Sequence, residues 1–400
     1  MIALSVATPA MAASLGQLTL TFGQSTYRGV GGNEFTDITV LATRGGATAA
    51  AGLSLTVTLT GGYTFDGAAT THFGSTGDSG TLSVPRVNIP LGGGTSAITV
   101  TDGTATATLT AVASSIAKAR WNDDAIASFP AVSAGSQAVG ANFFLDPNNN
   151  LSLSDGRNID NNVEKAVGAF LSSGHLVTYT TNGVARNCWV DSSGNASWGT
   201  WSDVPLNSEP IEGNYFLAPN GDLYRENSLV SSRVTSAAGT FNGQVGNLVT
   251  YVHDNKSWTY WPGNGNWVTY AAVPEGTSAV AGGFFLTPSG ELYYQATKIA
   301  DGVTAADGTM IYDWTSDGGG RPVTYVDATG GHQYWTGPRG GYASYPDVPA
   351  GSTPPREGSV FLTPDRRLFH DNSTIATNVL TAAASYGETA GILINWTEAQ

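Results

Sequence analysis

The chain has 400 residues and a formal net charge of −14, with 17 Lys and Arg against 31 Asp and Glu. Charged residues are only 12% of the chain while glycine contributes 51 residues, a composition that fits β-rich extracellular proteins better than a helical cytosolic enzyme. Phosphate binding relies on clusters of Lys and Arg, so the sequence argues against a nucleic-acid partner.

Residues 1–14 combine a short apolar run with the small-residue stretch Ala10-Met11-Ala12-Ala13. An apolar segment followed by small residues is typical of the end of a secretory signal peptide, although no basic segment precedes it here. We interpret residues 1–14 as a signal-peptide remnant, with an apolar lead-in to the first strand as the alternative. No other stretch approaches the ~18 apolar residues of a membrane span.

Residues 15–112 are predicted to form the first domain. Apolar and polar residues alternate in short runs such as 53–59, and glycine-rich turns such as 29–32 and 92–94 separate these runs. About seven short strands in about 100 residues predict a β-sandwich. In strand number and composition this region resembles the Ig-like modules of bacterial surface proteins, although the Cys…Trp…Cys pattern of Ig domains is absent.

Residues 113–400 repeat one pattern four times. An aromatic-Leu-x-Pro segment places its proline at Pro147, Pro219, Pro288 and Pro364, with spacings of 72, 69 and 76 residues. A Val-Thr-Tyr segment recurs at 177–179, 249–251 and 323–325, and we take Ile392-Leu393-Ile394 as its degenerate fourth copy. The matching tryptophans are Trp121, Trp189, Trp261 and Trp335, the first of which lies ahead of the first proline. A long period built from short strands is typical of a propeller or solenoid.

Each repeat divides into two halves that each resemble one blade. Residues 113–400 number 288, and 288 divided by eight gives 36 residues, about one four-stranded blade. We therefore predict an all-β chain in which an Ig-like β-sandwich precedes a closed β-propeller of about eight short blades, arranged as four double-blade repeats. Seven blades and four broader blades are the alternatives. Trp121–Val132 and Ile392–Gln400 are predicted to complete the last blade together, because closure removes free strand edges.

The half-repeats carry a family resemblance. The segment 284–295, Phe-Phe-Leu-Thr-Pro-Ser-Gly-Glu-Leu-Tyr-Tyr-Gln, alternates with Val-Thr-Tyr-Val and Gln-Tyr-Trp segments such as 323–326 and 333–335. This pattern resembles the blades of tectonin- and tachylectin-type propellers. The resemblance implies a secreted or surface lectin that binds glycans. Separately, we expect no cofactor.

The sequence gives little sign of catalysis or metal binding. It lacks the Gly-x-Ser-x-Gly, His-Glu-x-x-His and Gly-Lys-Ser/Thr motifs, and its five histidines fall at non-equivalent repeat positions. The single cysteine, Cys188, is predicted to be a packed strand residue, and the oxygen-rich segment 146–150 is interpreted as a turn rather than a calcium loop. Paired carboxylates that a propeller glycosidase needs occur in turn-like contexts, where acids mainly cap the turn: Asp123 and Asp124, Asp313 and Asp317, Glu209 and Glu212.

Aromatic side chains are the most plausible ligand-binding material, because their faces stack on the C–H surfaces of sugars while polar neighbours hydrogen-bond hydroxyl groups. Recurrent aromatics such as Trp189 and Trp201 are interpreted as packing between blades. The predicted ligand-binding residues form two clusters, with no catalytic or metal-binding residues: Trp258, Asn264, Asn266 and Trp267, and His332, Arg339 and Tyr342.

The leading hypothesis is a secreted or cell-surface, non-catalytic protein that recognises a glycan or another extracellular polymer through several weak sites, with the Ig-like domain as a spacer. A structural component of a cell envelope or phage appendage that binds a surface protein is the alternative. A propeller glycoside hydrolase is the third hypothesis.

Overall fold

The computed structural model describes residues 17–24, 26–30, 34–45, 48–90, 94–122, 124–171, 173–241, 247–262, 265–310, 320–336, 340–387 and 391–399. The chain forms two compact units. The N-terminal unit comprises residues 1–90 and 95–113, and the C-terminal unit comprises residues 91–94 and 114–400. The proposed signal remnant, residues 1–14, lies outside the described residues. Within the described part of the chain, no helix is long and apolar enough to cross a membrane.

The described residues of the N-terminal unit form short antiparallel strands and one 3₁₀ helix, Asp66–Ala68. The strands are β1 (Leu18–Phe22), β2 (Thr26–Val30), β3 (Glu34–Phe35), β4 (Thr39–Arg44), β5 (Thr48–Ala49), β6 (Ser54–Leu59), β7 (Thr64–Phe65), β8 (Thr71–Ser75), β9 (Thr81–Ser83), β10 (Val87–Asn88) and β11 (Gly94–Thr101). The next strand, β12 (Thr106–Trp121), contributes residues to both units.

The strands of the N-terminal unit enclose one apolar core. Strand β4 pairs with β1, β5 and β9, strand β10 pairs with β3 and β7, and strand β6 pairs with β8 and β11. In β6, Leu55, Val57 and Leu59 are buried while the alternating residues are more exposed, as the period of a strand requires. The described residues form more strands than the seven expected, because several strands are only two residues long.

In the described residues, the C-terminal unit contains β12 and thirty further strands, β13 to β42. The first half contains β13 (Ala127–Phe129), β14 (Gln137–Gly140), β15 (Phe143–Leu145), β16 (Leu151–Leu153), β17 (Asn158–Asp160), β18 (Val163–Leu171), β19 (Gly174–Thr181), β20 (Val184–Asp191), β21 (Ala196–Trp201), β22 (Glu209–Ile211), β23 (Tyr215–Leu217), β24 (Leu223–Arg225), β25 (Ser228–Ser231), β26 (Val234–Thr240), β27 (Leu248–His253), β28 (Lys256–Trp261) and β29 (Asn266–Ala272). The second half contains β30 (Ser278–Val280), β31 (Phe284–Leu286), β32 (Leu292–Tyr294), β33 (Thr297–Ala300), β34 (Ala305–Gly308), β35 (Pro322–Asp327), β36 (Gly330–Trp335), β37 (Gly341–Tyr345), β38 (Val360–Leu362), β39 (Leu368–His370), β40 (Ser373–Ala376), β41 (Val379–Gly387) and β42 (Gly391–Ala399).

The described residues of this unit form eight antiparallel sheets in chain order. Six sheets contain four consecutive strands each: β14–β17, β18–β21, β22–β25, β26–β29, β30–β33 and β34–β37. The seventh contains β38–β40, and Thr353 forms an additional bridge to Leu362. The eighth joins β41 and β42 to β12 and β13 from the start of the unit.

The two ends of the unit meet in the eighth sheet. Strand β42 pairs with β12 in antiparallel register from Ser115↔Ala399 to Trp121↔Leu393. The Lys118 ammonium lies 2.9 Å from a Glu398 carboxylate oxygen across the same pair of strands. The C-terminal strand therefore covers an edge that β12 would otherwise expose.

The first strands of successive sheets pack against one another around a common cavity. Small residues are required there: a Cβ on Gly168 would lie 2.3 Å from the Gly140 carbonyl oxygen, and one on Gly239 or Gly308 would lie 2.2 Å from the neighbouring backbone oxygen. Consecutive four-stranded sheets whose first strands meet at a centre are the arrangement of a β-propeller. The predicted all-β chain with propeller repeats is thereby confirmed.

The structure corrects the fourth copy of the Val-Thr-Tyr segment. In the second copy of the aromatic-Leu-x-Pro segment, the Asn214 backbone N–H donates to the Thr178 hydroxyl at 3.2 Å. In the first copy, the Asn142 backbone N–H donates to the Asn395 side-chain oxygen at 2.9 Å. Asn395 therefore takes the place of Thr178 as the hydrogen-bond acceptor. The fourth copy of the Val-Thr-Tyr segment is thus 394–396 and not 392–394 as predicted.

Candidate functional site

Three exposed aromatic side chains occupy one equivalent position in the outer strands of alternate sheets. Trp198 in β21 lies opposite Cys188, Trp267 in β29 lies opposite Tyr260, and Tyr342 in β37 lies opposite Tyr334. Residues 188, 260 and 334 in turn pair with the first residue of each Val-Thr-Tyr segment. We call Trp198, Trp267 and Tyr342 the outer aromatics.

The outer aromatics face solvent. Trp198 is 56% exposed, Trp267 is 52% exposed and Tyr342 is 64% exposed. Ordinary packing does not explain such exposure at three equivalent positions, because large aromatic side chains are usually mostly buried. In the eighth sheet the corresponding region, just before β13, carries Ile126, which is 45% exposed.

Neighbouring rings hold two of the outer aromatics in place. Trp267 stacks on Tyr260 with ring centroids 4.5 Å apart and an angle of 25° between the planes. Tyr342 packs against Tyr334 at 4.7 Å, and its hydroxyl reaches the Ile299 carbonyl oxygen of the preceding sheet at 3.4 Å. Since one face of Trp267 rests on Tyr260, its other face is available to a flat apolar surface such as that of a sugar ring.

The remaining predicted site residues fall into three environments. Asn266 is exposed, and its register partner is Trp261. Trp258 is half-buried and stacks on Tyr251 at 6.2 Å, so it belongs largely to the packing of its sheet. Asn264 and Arg339 lie outside the described residues.

His332 is held by its own strand neighbours. Its Nε2 lies 3.0 Å from both Thr329 Oγ1 and Asp327 Oδ1, and its Nδ1 lies 3.2 Å from Ser344 Oγ. The ring also stacks on Tyr325 at 5.0 Å. These contacts fix the orientation of the His332 ring. His332 and Tyr334 are two residues apart in one strand and share a face of the sheet, and Tyr342 lies opposite Tyr334 on that face.

The central cavity is a second candidate site. It has a volume of about 430 Å³ and lies among the first strands of the sheets. Five charged residues line it: Glu209, whose side chain is exposed and pairs with Lys165, and Glu212, Asp307, Arg356 and Glu357. Glu212 is 6% exposed and Glu357 is 4% exposed.

Hydrogen bonds fix the two buried glutamates. Phe241 donates its backbone N–H to Glu212 Oε1 at 2.9 Å, and Arg356 Nη1 lies 3.7 Å from Glu212 Oε2. Glu357 accepts hydrogen bonds from the Thr309 hydroxyl and the Tyr386 backbone N–H. Arg356 adopts a φ of 72°, in the left-handed region that non-glycine residues rarely occupy.

Burial alters the proton affinity of the acids in this cavity. It raises the pKa of Glu212 well above the usual value, and the nearby Glu357 carboxylate raises it further, while Arg356 opposes the shift. Burial raises the pKa of Glu357 to about 7 against the hydrogen bonds from Thr309 and Tyr386. Burial likewise raises the pKa of Asp307 to about 6, with Arg356 opposing. The cavity therefore contains carboxyl groups that titrate near neutral pH.

The assignment of Glu212 to a turn-capping role was wrong. Glu209 is exposed and pairs with Lys165, whereas Glu212 follows β22 into the centre of the unit and is buried. Asp124 is exposed, as turn acids are expected to be, while Asp123, Asp313 and Asp317 lie outside the described residues.

The repeat alignment contained a signal for the cavity residues that sequence reasoning missed. Three residues before the aromatic-Leu-x-Pro segment, the second and fourth copies carry Glu212 and Glu357, whereas the first and third copies carry Gly140 and Ala281. Asp307 pairs with Thr324, and the equivalent pair in the β26–β29 sheet is Ala238 with Thr250. Asp307 therefore stands where that sheet carries an alanine. Charged residues thus replace small residues at positions where the repeat does not need charge.

No described group of three or more His, Cys, Asp or Glu side chains could hold a metal ion. Cys188 is fully buried in the core of its sheet, as predicted, and burial raises the pKa of its thiol to about 12. The segment 146–150 forms a turn in which Asp146 Oδ1 accepts the backbone N–H groups of Asn148 and Asn150, each at 2.8 Å.

No protein-family model and no curated protein matches the sequence. Among solved structures, the chain is similar to virginiamycin B lyase from Staphylococcus aureus, at 11% identity over 72% of this chain and 96% of that chain with a TM-score of 0.28. It is also similar to an auxiliary nutrient binding protein from Bacteroides thetaiotaomicron, at 9% identity over 94% of this chain and 97% of that chain with a TM-score of 0.26. A third similarity is to the Dos1 propeller, at 11% identity over 68% of this chain and 74% of that chain with a TM-score of 0.25. Similarities this low carry no argument about activity, and the propeller assignment depends on the sheet order described above.

Proposed function

We propose that this chain is a secreted or cell-surface binding protein whose C-terminal unit recognises a glycan or a similar extracellular polymer without converting it. In this proposal the C-terminal unit is an eight-bladed ring closed between β12 and β42, and the N-terminal unit is an Ig-like spacer. The low charge and the richness in glycine and aromatic residues fit an extracellular role.

The observation that carries the proposal is the recurrence of solvent-facing rings at one register position. Trp198, Trp267 and Tyr342 are each more than half exposed. A stack between an aromatic ring and an apolar face contributes about 1 kcal/mol, which gives only weak binding at a single site. Three equivalent sites on one rigid unit would bind a repetitive polymer through avidity.

An array of extracellular polysaccharides probed with the full-length chain tests the glycan part of this proposal. We expect retention on at least one repetitive polymer and weak binding to the corresponding monosaccharide. Trp267→Ala should lower retention and cost no more than about 1 kcal/mol of stability, because a side chain this exposed lies outside the core and loses mainly its stack on Tyr260. Failure to bind any polysaccharide would contradict the glycan assignment, and binding to a surface protein instead would favour the structural alternative.

Chromogenic glycosides test whether the protein is non-catalytic. Glycoside hydrolases use two carboxyl groups, one of raised pKa as the acid and one ionised as base or nucleophile. Glu212 and Glu357 line one cavity and both have a raised pKa, so they are the pair to test. We expect no release of chromophore by the full-length chain. Release that disappears in Glu357→Gln would contradict the non-catalytic assignment.

A further inference from the structure

The central cavity holds charges that the fold does not require. Gly140 and Ala281 occupy the positions equivalent to Glu212 and Glu357, and those copies of the repeat form their sheets without a carboxylate. Arg356 stands where the other copies carry Val139, Ile211 and Val280, which are buried apolar residues. Burying a charge is unfavourable unless something compensates it, and Glu212 and Glu357 are only 6% and 4% exposed, so their place beside one cavity points to a compensating ligand.

The charges in the cavity do not balance. Of the four acidic residues that line it, Glu209 is paired with Lys165, so the carboxyl groups of Glu212, Asp307 and Glu357 face one guanidinium group, from Arg356. When all four groups are ionised, the cavity has two more negative charges than positive ones. A ligand with two positive charges would neutralise it.

The two glutamates differ in the hydrogen bonds that their carboxylates accept. The Thr309 hydroxyl donates to Glu357, but the residue equivalent to Thr309 beside Glu212 is Ala169, which has no side-chain donor. Glu212 Oε2 instead has Arg356 Nη1 at 3.7 Å, beyond hydrogen-bond distance. The Glu212 carboxylate, 6% exposed and lining the cavity, accepts one hydrogen bond at Oε1, from the Phe241 backbone N–H, and its Oε2 could accept another from an N–H donor in the cavity.

We propose that the central cavity binds a small organic dication, a protonated linear diamine, whose ammonium groups donate hydrogen bonds to the carboxylates of Glu212 and Glu357. An organic cation fits better than a metal ion, because the described residues do not bring three acidic or histidine side chains into a metal-ligating group. The cavity of about 430 Å³ is also larger than a bare ion needs. This site is separate from the outer aromatics and does not depend on glycan binding.

Binding of a cation at this site should be coupled to protons. The charged residues that line the cavity are Glu209, Glu212, Asp307, Arg356 and Glu357. Tyr386 donates its backbone N–H to Glu357, and the burial of its own ring and then the Glu357 charge raise the pKa of the Tyr386 hydroxyl. Protonated carboxyl groups attract a cation less, so the affinity for the diamine should rise as the pH rises through the range of about 6 to about 7.

Isothermal titration calorimetry of the full-length chain with putrescine tests the proposal. Butanediol serves as the neutral ligand of equal length. The protein variants are Glu212→Gln and Glu357→Gln, which keep the side-chain shape, with Glu275→Gln as an exposed control outside the cavity. Thermal unfolding of each variant shows whether it is folded before binding is compared.

We expect putrescine to bind and butanediol not to bind. Glu212→Gln and Glu357→Gln should each weaken binding about tenfold or more, whereas Glu275→Gln should leave it unchanged. For the unmodified chain, affinity should be about tenfold higher at about pH 8 than at about pH 5.5. Absence of putrescine binding, equal binding of butanediol, or full affinity in the folded glutamine variants would overturn the proposal. Because no polymer enters this experiment, its outcome is independent of the glycan assay.

Discussion

Replacing Glu357 by Gln should stabilise the C-terminal unit at alkaline pH and leave it unchanged at acidic pH. Glu357 is 4% exposed, and burial raises its pKa from an ordinary value of 4.5 to about 7. Each pKa unit corresponds to about 1.4 kcal/mol, so holding this carboxylate ionised in the folded protein costs about 3 kcal/mol relative to the unfolded chain. A group whose folded pKa is raised contributes stability below its unfolded pKa and loses that contribution as the pH rises through its folded pKa.

The assay is urea unfolding of both proteins at about pH 4.5, about pH 6.5 and about pH 8. All 10 tryptophans lie from Trp121 to Trp396, so tryptophan fluorescence reports on the C-terminal unit alone. The difference in free energy of unfolding between Glu357→Gln and the unmodified chain should grow from near zero at the lowest pH to about 3 kcal/mol at the highest. Glu275→Gln, an exposed acid in a turn, should show no such trend.

The reasoning is refuted if the two proteins lose stability in parallel as the pH rises. A variant that is less stable at about pH 8 would show instead that the ionised carboxylate is well compensated by Thr309, Tyr386 and Arg356. Either result would mean that Glu357 is not the neutral-pH acid inferred from its surroundings.

Three further predictions concern stability and reactivity. Trp396→Ala should lower the free energy of unfolding by about 3 to 5 kcal/mol, measured by urea unfolding, because Trp396 is fully buried; a loss below about 1 kcal/mol would contradict its core position. Glu398→Gln should cost about 1 kcal/mol, because the 2.9 Å contact with Lys118 is only partly exposed, and this difference should shrink in about 1 M salt; a neutral substitution would show that the ion pair does not stabilise the joined ends. Cys188 should not react with a thiol-specific reagent until the chain unfolds, because its thiol is buried and its pKa is raised to about 12; rapid labelling of the folded protein would count against this.

The repeated architecture could be predicted from the sequence because each copy needs the same residue types at the same turns and close strand contacts. The four prolines follow equivalent strands, and small residues occur where first strands pack most closely, as Gly239 does. The displaced Trp121 indicated which strand the chain end would pair with, and β12 does pair with β42. The exact register of the last copy was not readable, because Asn395 takes over a hydrogen bond made by threonine elsewhere.

The candidate sites were less accessible to sequence reasoning. Exposure depends on which neighbours cover a side chain, so Trp198 could not be distinguished from the packed tryptophans around it. Glu209 and Glu212 are three residues apart and look alike in sequence, yet one pairs with Lys165 at the surface and the other is buried in the cavity. Only the contrast of Glu212 with Gly140 and Ala281 in the aligned repeats pointed to a special position.

The most direct test of polymer recognition is a comparison of affinities for a polysaccharide retained in the array. The unmodified chain is compared with a triple variant, Trp198→Ala, Trp267→Ala and Tyr342→Ala, and with Val268→Ala as control. Val268 is 44% exposed and follows Trp267 in the same strand, so it points to the opposite face. The triple variant should bind about a hundredfold more weakly while remaining folded, and Val268→Ala should bind normally. Undiminished binding by a folded triple variant would contradict the assignment of the outer aromatics as the binding surface.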